Sequence, residues 1–543
     1  MLYSKLLGIY ADSPDARMRN RLLHISLLLL AAIALYANSL PNSFNFDDQA
    51  LLIDNNAVHG ITAANLKAVF TSVPNHLEYL PVRDLTYMLD YQIWGLDPLG
   101  YHITNLIFYL LCVIMFYLFM AEILAGAGGA AFAAALVYAL HPVHVESVAS
   151  ITQRNNLVSG FFYFTGLFLY MRHKRHGATG SGYYLLSLLS FVLAMLSKAI
   201  AVVLPVTAVL LELYFPDEDP LGKRLSRTVP FFILAAGFSV LDIEVAKSTR
   251  IFLGFAAGLA SRLPGAFEAV WAYIKMLLFP YQLKVWHSFN LPAGFLDPRA
   301  LLSMAGLAAL IFLIIYYRKR YRVLSFAAAW MLTSMAPVAG LVPAATIIAE
   351  RYAFLPSAGF CLSVAFIFME IYKNRAAQVR LAAVLAAAAV LISYAVTSFQ
   401  RNFEWKDQTT LLEADLNHHP DLLKTYVFLG RAYVFKGDYQ KGLYYLLQAK
   451  RINPGLLEYD LFSAYYLYKT GQLDAALEAL KSLRKNIGGE VIDIDYLCGR
   501  IYELKGDDGK ARDYYLKAAD ADIPMGIYLR QDALDALKKL GAS

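Results

Sequence analysis

The chain has 543 residues, 58% of them apolar and 17% charged, with a formal net charge of +6. That balance excludes an ordinary soluble globular protein and describes a polytopic membrane protein with room for more than one domain. The modest basic excess sits in short loops and no basic face interleaves with aromatics, which excludes nucleic acid as a partner.

Lys5, Arg17, Arg19 and Arg21 precede an uncharged apolar run from Ile25 to Leu40, and no small-residue cleavage site follows Ala37. The pattern predicts an uncleaved anchor with a cytoplasmic amino terminus. Directly beyond it stand two adjacent carboxylates, Asp47 and Asp48. Acids at the lip of a span are candidates for proton abstraction or cation coordination; the plainer reading is a loop start or helix cap. Neighbouring side chains diverge, so at most one of the two points at an acceptor hydroxyl while the other caps amides or holds the loop.

Residues 41–102 form a long outer loop containing Glu78, Arg83 and His102, with apolar residues spaced for short amphipathic helices on the membrane that roof a cavity over the Asp pair. A span needs about 20 apolar residues. Runs of that kind lie near 22–40, 103–124, 130–148, 156–171, 183–197, 199–215, 228–245, 300–317, 322–341, 354–372 and 378–399. This predicts about eleven crossings, with the interrupted stretch 251–280 on or in the outer face. Such a count leaves the basic groups Arg172 to Arg175, Lys223 to Arg227, Arg318 to Arg322 and Lys373 with Arg375 in the cytoplasm. It also collects Asp47, Asp48, His102, His141, His144, Glu146, Arg154, Lys198, Glu350 and Arg351 on the opposite side.

His141, His144 and Glu146 fall within six residues, but Pro142 breaks the i, i+4 spacing that a helical metal pair wants. Glu146 is read as a group that takes a proton or orients a sugar hydroxyl, and the histidines either line a cavity or contact headgroups. Arg154, Lys198 and Arg351 lie at outer ends of separate spans, against the positive-inside bias. Each therefore needs a local partner, and a lipid-linked phosphate suits all three; snorkelling or pairing with Glu350 is the alternative. Cys112, Cys361 and Cys498 stand too far apart for a disulfide framework or thiolate site and read as packing residues.

From Asn402 the composition becomes charged, amphipathic and repetitive, dividing the chain into a membrane domain, 1–400, and a soluble domain, 401–543. Gly437, Gly471 and Gly506 are spaced 34 and then 35 residues apart, the period of the tetratricopeptide helix-turn-helix repeat. Such solenoids present a concave surface to a peptide or protein.

Taken together, Asp47-Asp48, Tyr79 to Thr86, Trp94 to His102, His141 to Ala149, Ser197-Lys198 and Ala349 to Tyr352 resemble the bacterial relatives of the transmembrane and tetratricopeptide-repeat O-mannosyltransferases, class C glycosyltransferases. The resemblance covers nearly the whole chain. It implies an all-α membrane bundle followed by an α-solenoid, and transfer of a sugar, with inversion, from a polyprenyl-phosphate donor to a Ser/Thr hydroxyl of a protein at the periplasmic face of the inner membrane. The base is then an aspartate of the first outer loop, Asp47 being favoured, with Asp48 and Glu146 beside it and Arg154, Lys198 and Arg351 on the donor phosphate. Glu78, Arg83, His102, His141, His144, Asn155, Glu350 and Tyr352 line the site. No cofactor or metal is expected beyond the donor itself, and the partners are the lipid-linked donor, membrane lipids and a protein bound by the repeats. Asn155 and Asn156 stand where the family has an acid after the arginine, and Ala199 where it often has Pro or Glu, so donor sugar and acceptor need not match the eukaryotic members. Rival readings are an inert envelope-assembly scaffold, a lipid-linked-sugar transporter and an oligosaccharide ligase acting on glycan or lipid.

Overall fold

A computed structural model describes residues 14–541 apart from 74–78, 125–126, 249–258, 282, 288, 342–345, 374–375, 421, 488–490 and 521–526. Among the described residues every regular element is helical, the arrangement that satisfies backbone groups within a single segment in a bilayer. The chain is a multi-pass membrane protein that divides into two units, Met1–Asp407 and Gln408–Ser543.

All eleven apolar runs are helical. Among the described residues five helices are long and apolar enough to cross a membrane, Met18–Ser39, Pro98–Ile123, Leu221–Val245, Pro298–Tyr317 and Ala377–Glu404. The bent pair Gly128–Leu140 and Pro142–Ala149 makes a sixth. Three expected spans are shorter apolar helices, Ser181–Met195, Ala199–Tyr214 and Arg322–Val338, and two more coincide with Arg154–His176 and Pro356–Lys373. The expected eleven thus exceeds the five or six supported by length and composition, because polar residues and chain breaks cut the other runs short. Of 251–280, the latter part is the Leu259–Leu278 helix, and 251–258 lie outside the described residues.

Local chemistry explains the ends and breaks. Asp97 and Asp297 each precede a proline at the first helical position, where its missing N–H costs nothing. Their carboxylates accept from the amides of Leu99 and Arg299 at 3.0 and 2.9 Å, a capping bond. The bent pair turns by 54° at Pro142, which holds His141 in an extended conformation and excludes it from the helix.

Inside the membrane unit Phe116, Tyr138, Phe164 and Trp330 pack as an aromatic core, with Phe116 and Tyr138 centroids 4.7 Å apart. The Trp330 indole donates to the Tyr163 hydroxyl at 2.8 Å, so its polar edge is not stranded in the core. Several cations assigned to the cytoplasm are held by buried acids: Glu122 takes Arg175 at 3.0 Å and Arg172 at 3.4 Å, and Glu212 takes Lys174.

Residues 401–406 belong to the membrane unit and not to the repeats, since the Ala377–Glu404 helix runs on and its end bonds to the first outer loop. The Asn402 side-chain amide donates to Leu35 O at 2.9 Å, Asn45 to Trp405 O at 3.0 Å, and the Ser43 amide to Lys406 O at 2.9 Å. The chain therefore leaves the membrane unit on the face that carries Asp47 and Asp48.

The second unit contains three successive helical hairpins, Leu423–Phe435 with Tyr439–Ile452, Glu458–Lys469 with Leu473–Ile487, and Ile492–Leu504 with Asp508–Asp520. Gly437, Gly471 and Gly506 make the turns at φ of 87°, 78° and 74°, a left-handed conformation costly for residues with a Cβ.

The contact between the helices Arg322–Met335 and Pro356–Lys373 depends on a small residue, Gly359. A Cβ at Gly359 would meet the Ala327 carbonyl and lie 2.7 Å from the Met331 amide nitrogen, so Gly359→Ala should cost about 1–3 kcal/mol. Gly237→Ala, with nothing within 4 Å of its added carbon, should be neutral or stabilising by about 0.5–1 kcal/mol. Unfolding midpoints of the two variants in detergent check this.

Candidate functional site

The Asp pair is divided by its backbone. Phe46 takes a left-handed conformation (φ 43°), with its ring edge-on to Trp286 at 5.6 Å, and the turn leaves Asp47 exposed and Asp48 buried. Asp48 bridges two segments: one carboxylate oxygen accepts from the Asn45 amide at 2.7 Å, the other from the Thr152 amide at 3.1 Å. It therefore ties the loop at Asn45 to the chain at Thr152. Burial raises its carboxyl to about 7 against the pull of the Asn45 amide, with the Asp47 charge adding to the rise.

Lys198 and Arg351 each stand at an interruption between helices. Lys198 is the extended residue before the 3-10 segment Ala199–Val203, and Arg351 lies within the 3-10 segment Glu350–Ala353 that the extended Ala349 precedes. Both reach the ring of Tyr352, the ammonium at 5.8 Å and the guanidinium at 5.1 Å from its centroid. Lys198 donates to Asn156 Oδ1 at 2.8 Å and Asn155 Oδ1 at 3.3 Å, both from the first turn of the Arg154–His176 helix. Glu146 spends both oxygens on Arg351, one on its guanidinium at 2.6 Å and one on its backbone amide at 2.8 Å. Burial opposes the charge on Arg351, while Glu146 and, more weakly, Asp47 restore it, and the balance favours the cation.

Arg154 does not join these cations. Its fully buried guanidinium pairs with Asp90 at 2.5 Å and donates to Asn105 at 2.7 Å, Thr86 at 3.2 Å and the Tyr101 carbonyl at 2.8 Å. With its donors on protein acceptors, it fastens the outer helix Pro81–Trp94 to the bundle. Arg83 is buried against Asp84 at 2.8 Å, and Glu350 pairs with Arg401 at 3.3 Å, bracing the last span. The two histidines are buried in packing: His144 bonds Tyr109 at 3.0 Å and Ser357 at 2.8 Å, and His141 bonds the Leu277 carbonyl at 3.0 Å and the Val143 amide at 3.2 Å. His102 is buried in the Pro98–Ile123 helix, and Glu78 lies outside the described residues. Among the described residues no three His, Cys, Asp or Glu side chains converge as metal ligands.

The structure thus brings together Asp47, Glu146, Asn155, Lys198, Arg351 and Tyr352, and sets apart Arg83, Arg154, His141, His144 and Glu350. Sequence reasoning missed Asn156, Thr152 and Asp90. Asn156 was visible as the second amide after Arg154; Thr152 contributes only its backbone, and Asp90 had no motif around it. The assembled groups supply an exposed carboxylate beside two held cations, which is a set suited to deprotonating a nucleophile next to an anionic leaving group.

Asp48 gives the site a pH signature. Its folded carboxyl is raised from 3.8 to about 7, so the folded state binds the proton more tightly than the unfolded state. The contribution to stability is full below pH 3.8 and is lost as pH rises through about 7. Thermal unfolding followed between pH 4 and 7 should show a shallower fall in Asp48→Asn than in the wild type.

No protein-family model matches the chain. Among curated proteins it is 27% identical over 445 residues to protein O-mannosyl-transferase F38B6.6 of Caenorhabditis elegans, covering 76% of this chain and 60% of that one. It is 25% identical over 481 residues to protein O-mannosyl-transferase TMTC3 of Mus musculus, covering 79% and 51%. The chain spans only half to three fifths of the length of these relatives. Among solved structures, the archaeal oligosaccharyltransferase AglB from Archaeoglobus fulgidus, in complex with an inhibitory peptide and a dolichol-phosphate, aligns with a TM-score of 0.42 and 13% identity over 70% of this chain and 56% of that one, a likeness too weak to fix the fold. Over most of its length the chain is a homologue of proteins named TMTC protein O-mannosyl-transferases.

Proposed function

We propose that the protein is an inverting glycosyltransferase that moves a sugar from a polyprenyl-phosphate donor to a Ser or Thr hydroxyl of an acceptor protein. The observation that carries this reading is the pair of cations, Lys198 and Arg351, both over one Tyr352 ring, with the exposed Asp47 acting electrostatically on the same arginine. The names of the homologues support a mannosyl donor and a protein acceptor.

In this scheme Asp47 takes the proton of the acceptor hydroxyl as its oxygen attacks the anomeric carbon. The carbon–oxygen bond to the phosphate breaks, and the phosphate leaves with the electron pair. Phosphate is already a competent leaving group, so stabilising its developing charge is the larger task. Arg351 offers a fork to its oxygens and Lys198 a point charge. Glu146 is a positioning residue that fixes Arg351 at two atoms, and Asn155 and Asn156 fix Lys198. The amino terminus is cytoplasmic, and the repeats, a tetratricopeptide solenoid in the periplasm, bind the acceptor or a partner enzyme.

Two outcomes test the reading. Asp47→Asn should fold and bind donor but lose transfer, whereas Asp48→Asn keeps measurable activity with altered stability; intact-mass comparison of envelope proteins from the two strains reads this whatever sugar is transferred. Full turnover in both variants would remove the pair from the mechanism.

The cations are tested by titrating donor and acceptor separately. Lys198→Gln or Arg351→Gln should raise the apparent KM for the lipid donor about tenfold or more, the loss expected of a charge-assisted contact, and leave the acceptor KM nearly unchanged. A change confined to the acceptor KM would make the phosphate assignment wrong.

A further inference from the structure

A cavity of the membrane unit lies apart from the site above. It has a volume of about 780 Å³ and lies along the helix Arg322–Met335, walled by apolar side chains such as Leu210, Leu307 and Leu332. One end is formed by Arg318, Lys319 and Arg322, the other by Ala336 and Ala339, and no carboxylate is among the described residues that line it.

The two ends face different neighbours. Beside Ala339, the Val338 and Ile347 carbonyls accept from the Tyr273 hydroxyl at 3.3 and 3.1 Å, and the Leu259–Leu278 helix that carries Tyr273 packs against the Glu350–Ala353 turn that carries Arg351. The apolar end therefore points toward Arg351. The basic end lies a helix length away, about 20 Å at 1.5 Å per residue. Orientation in the membrane accounts for cations in a loop but not for their place on the wall of an apolar cavity.

From this juxtaposition we propose that the cavity binds an anionic glycerophospholipid, its headgroup on Arg318 and Lys319 and one acyl chain along the Leu210–Leu332 walls. Charge complementarity selects the occupant: a zwitterionic lipid brings its own cation to a wall already lined by cations, whereas an anionic headgroup neutralises them. A polyprenyl phosphate held by Lys198 and Arg351 would put only its tail here, with nothing for the basic end to hold. The bound lipid sits in the leaflet opposite the Asp47 face, and its chain approaches the site from below.

Native mass spectrometry of the full chain in detergent, with added palmitoyl-oleoyl phosphatidylglycerol or phosphatidylcholine, tests this. Wild type should retain the phosphatidylglycerol and release the phosphatidylcholine. Joint Arg318→Gln and Lys319→Gln substitution should lower retention at least about tenfold, as for lost charge-assisted contacts. Leu332→Trp, which fills the wall while leaving the cations in place, should lower it as well. Equal retention of both lipids, retention unchanged in the double variant, or no lipid retained by wild type would each overturn the proposal. Displacement of phosphatidylglycerol from the double variant and wild type alike by polyprenyl phosphate would assign the cavity to the donor tail instead.

Discussion

A single carboxylate, that of Asp48, accepts from the amide of Asn45 and from the amide of Thr152, 104 positions further along the chain than itself. A buried carboxylate is costly unless donors surround it, and here each oxygen has one. The consequence spreads along both strands of chain. On one side Asn45 also donates to Trp405 O, so the outer loop is tied to the exit of the last span. On the other, Thr152 leads directly into the helix whose first turn supplies Asn155 and Asn156 to Lys198. One side chain thus sets the spacing between the exposed Asp47 and the cation beside Tyr352.

Charge burial governs the rest of the membrane unit by the same logic. In a medium that solvates ions poorly, removing one member of a buried pair costs roughly 3–5 kcal/mol, so buried cations stand beside acids. Arg154 has Asp90, Arg401 has Glu350, and Lys174 has Glu212. Arg351 is different in degree. It has Glu146, yet its side chain stays 20% exposed where that of Arg154 is at 0%. A cation oriented by an acid on one side and open on another can still receive an anion.

Period and composition were enough for an all-helical membrane protein. The apolar runs became helices because hydrophobicity and intrahelical hydrogen bonding are local properties, and the 34-residue spacing of Gly437 and Gly471 became hairpins because a left-handed turn is a local demand. That Asp47 and Asp48 face different surroundings, one exposed and one buried, was legible from the divergence of neighbouring side chains. The partners were not. Glu146 and Arg351 are 205 residues apart, and Asp90 meets Arg154 across 64 positions in a loop with no motif around it. Arg154 looked like Lys198 and Arg351 because all three lie near outer ends of helices, and only tertiary packing distinguishes them. Length and composition alone support fewer crossings than the apolar runs suggest, because breaks at Pro142 and Lys198 interrupt those runs.

The outer helix Pro81–Trp94 shows why Arg154 serves the scaffold. Its polar residues Arg83, Asp84 and Asp90 face inward and are buried, while Leu89 and Ile93 are 52% and 68% exposed. In water that pattern would be inside out; at a membrane boundary the exposed apolar side chains meet lipid, and the polar face must find partners within the protein. Arg154 is that partner, pairing with Asp90, donating to Thr86 and lying over the Tyr87 ring at 4.7 Å. Since the Val82 amide of the same helix donates to Leu196 O at 3.3 Å, two residues before Lys198, the helix held by Arg154 in turn sets the edge of the site. The three cations are therefore sorted by what surrounds them: Arg154 is enclosed by Asp90, Asn105 and the Tyr101 carbonyl, whereas Lys198 and Arg351 meet at the Tyr352 ring.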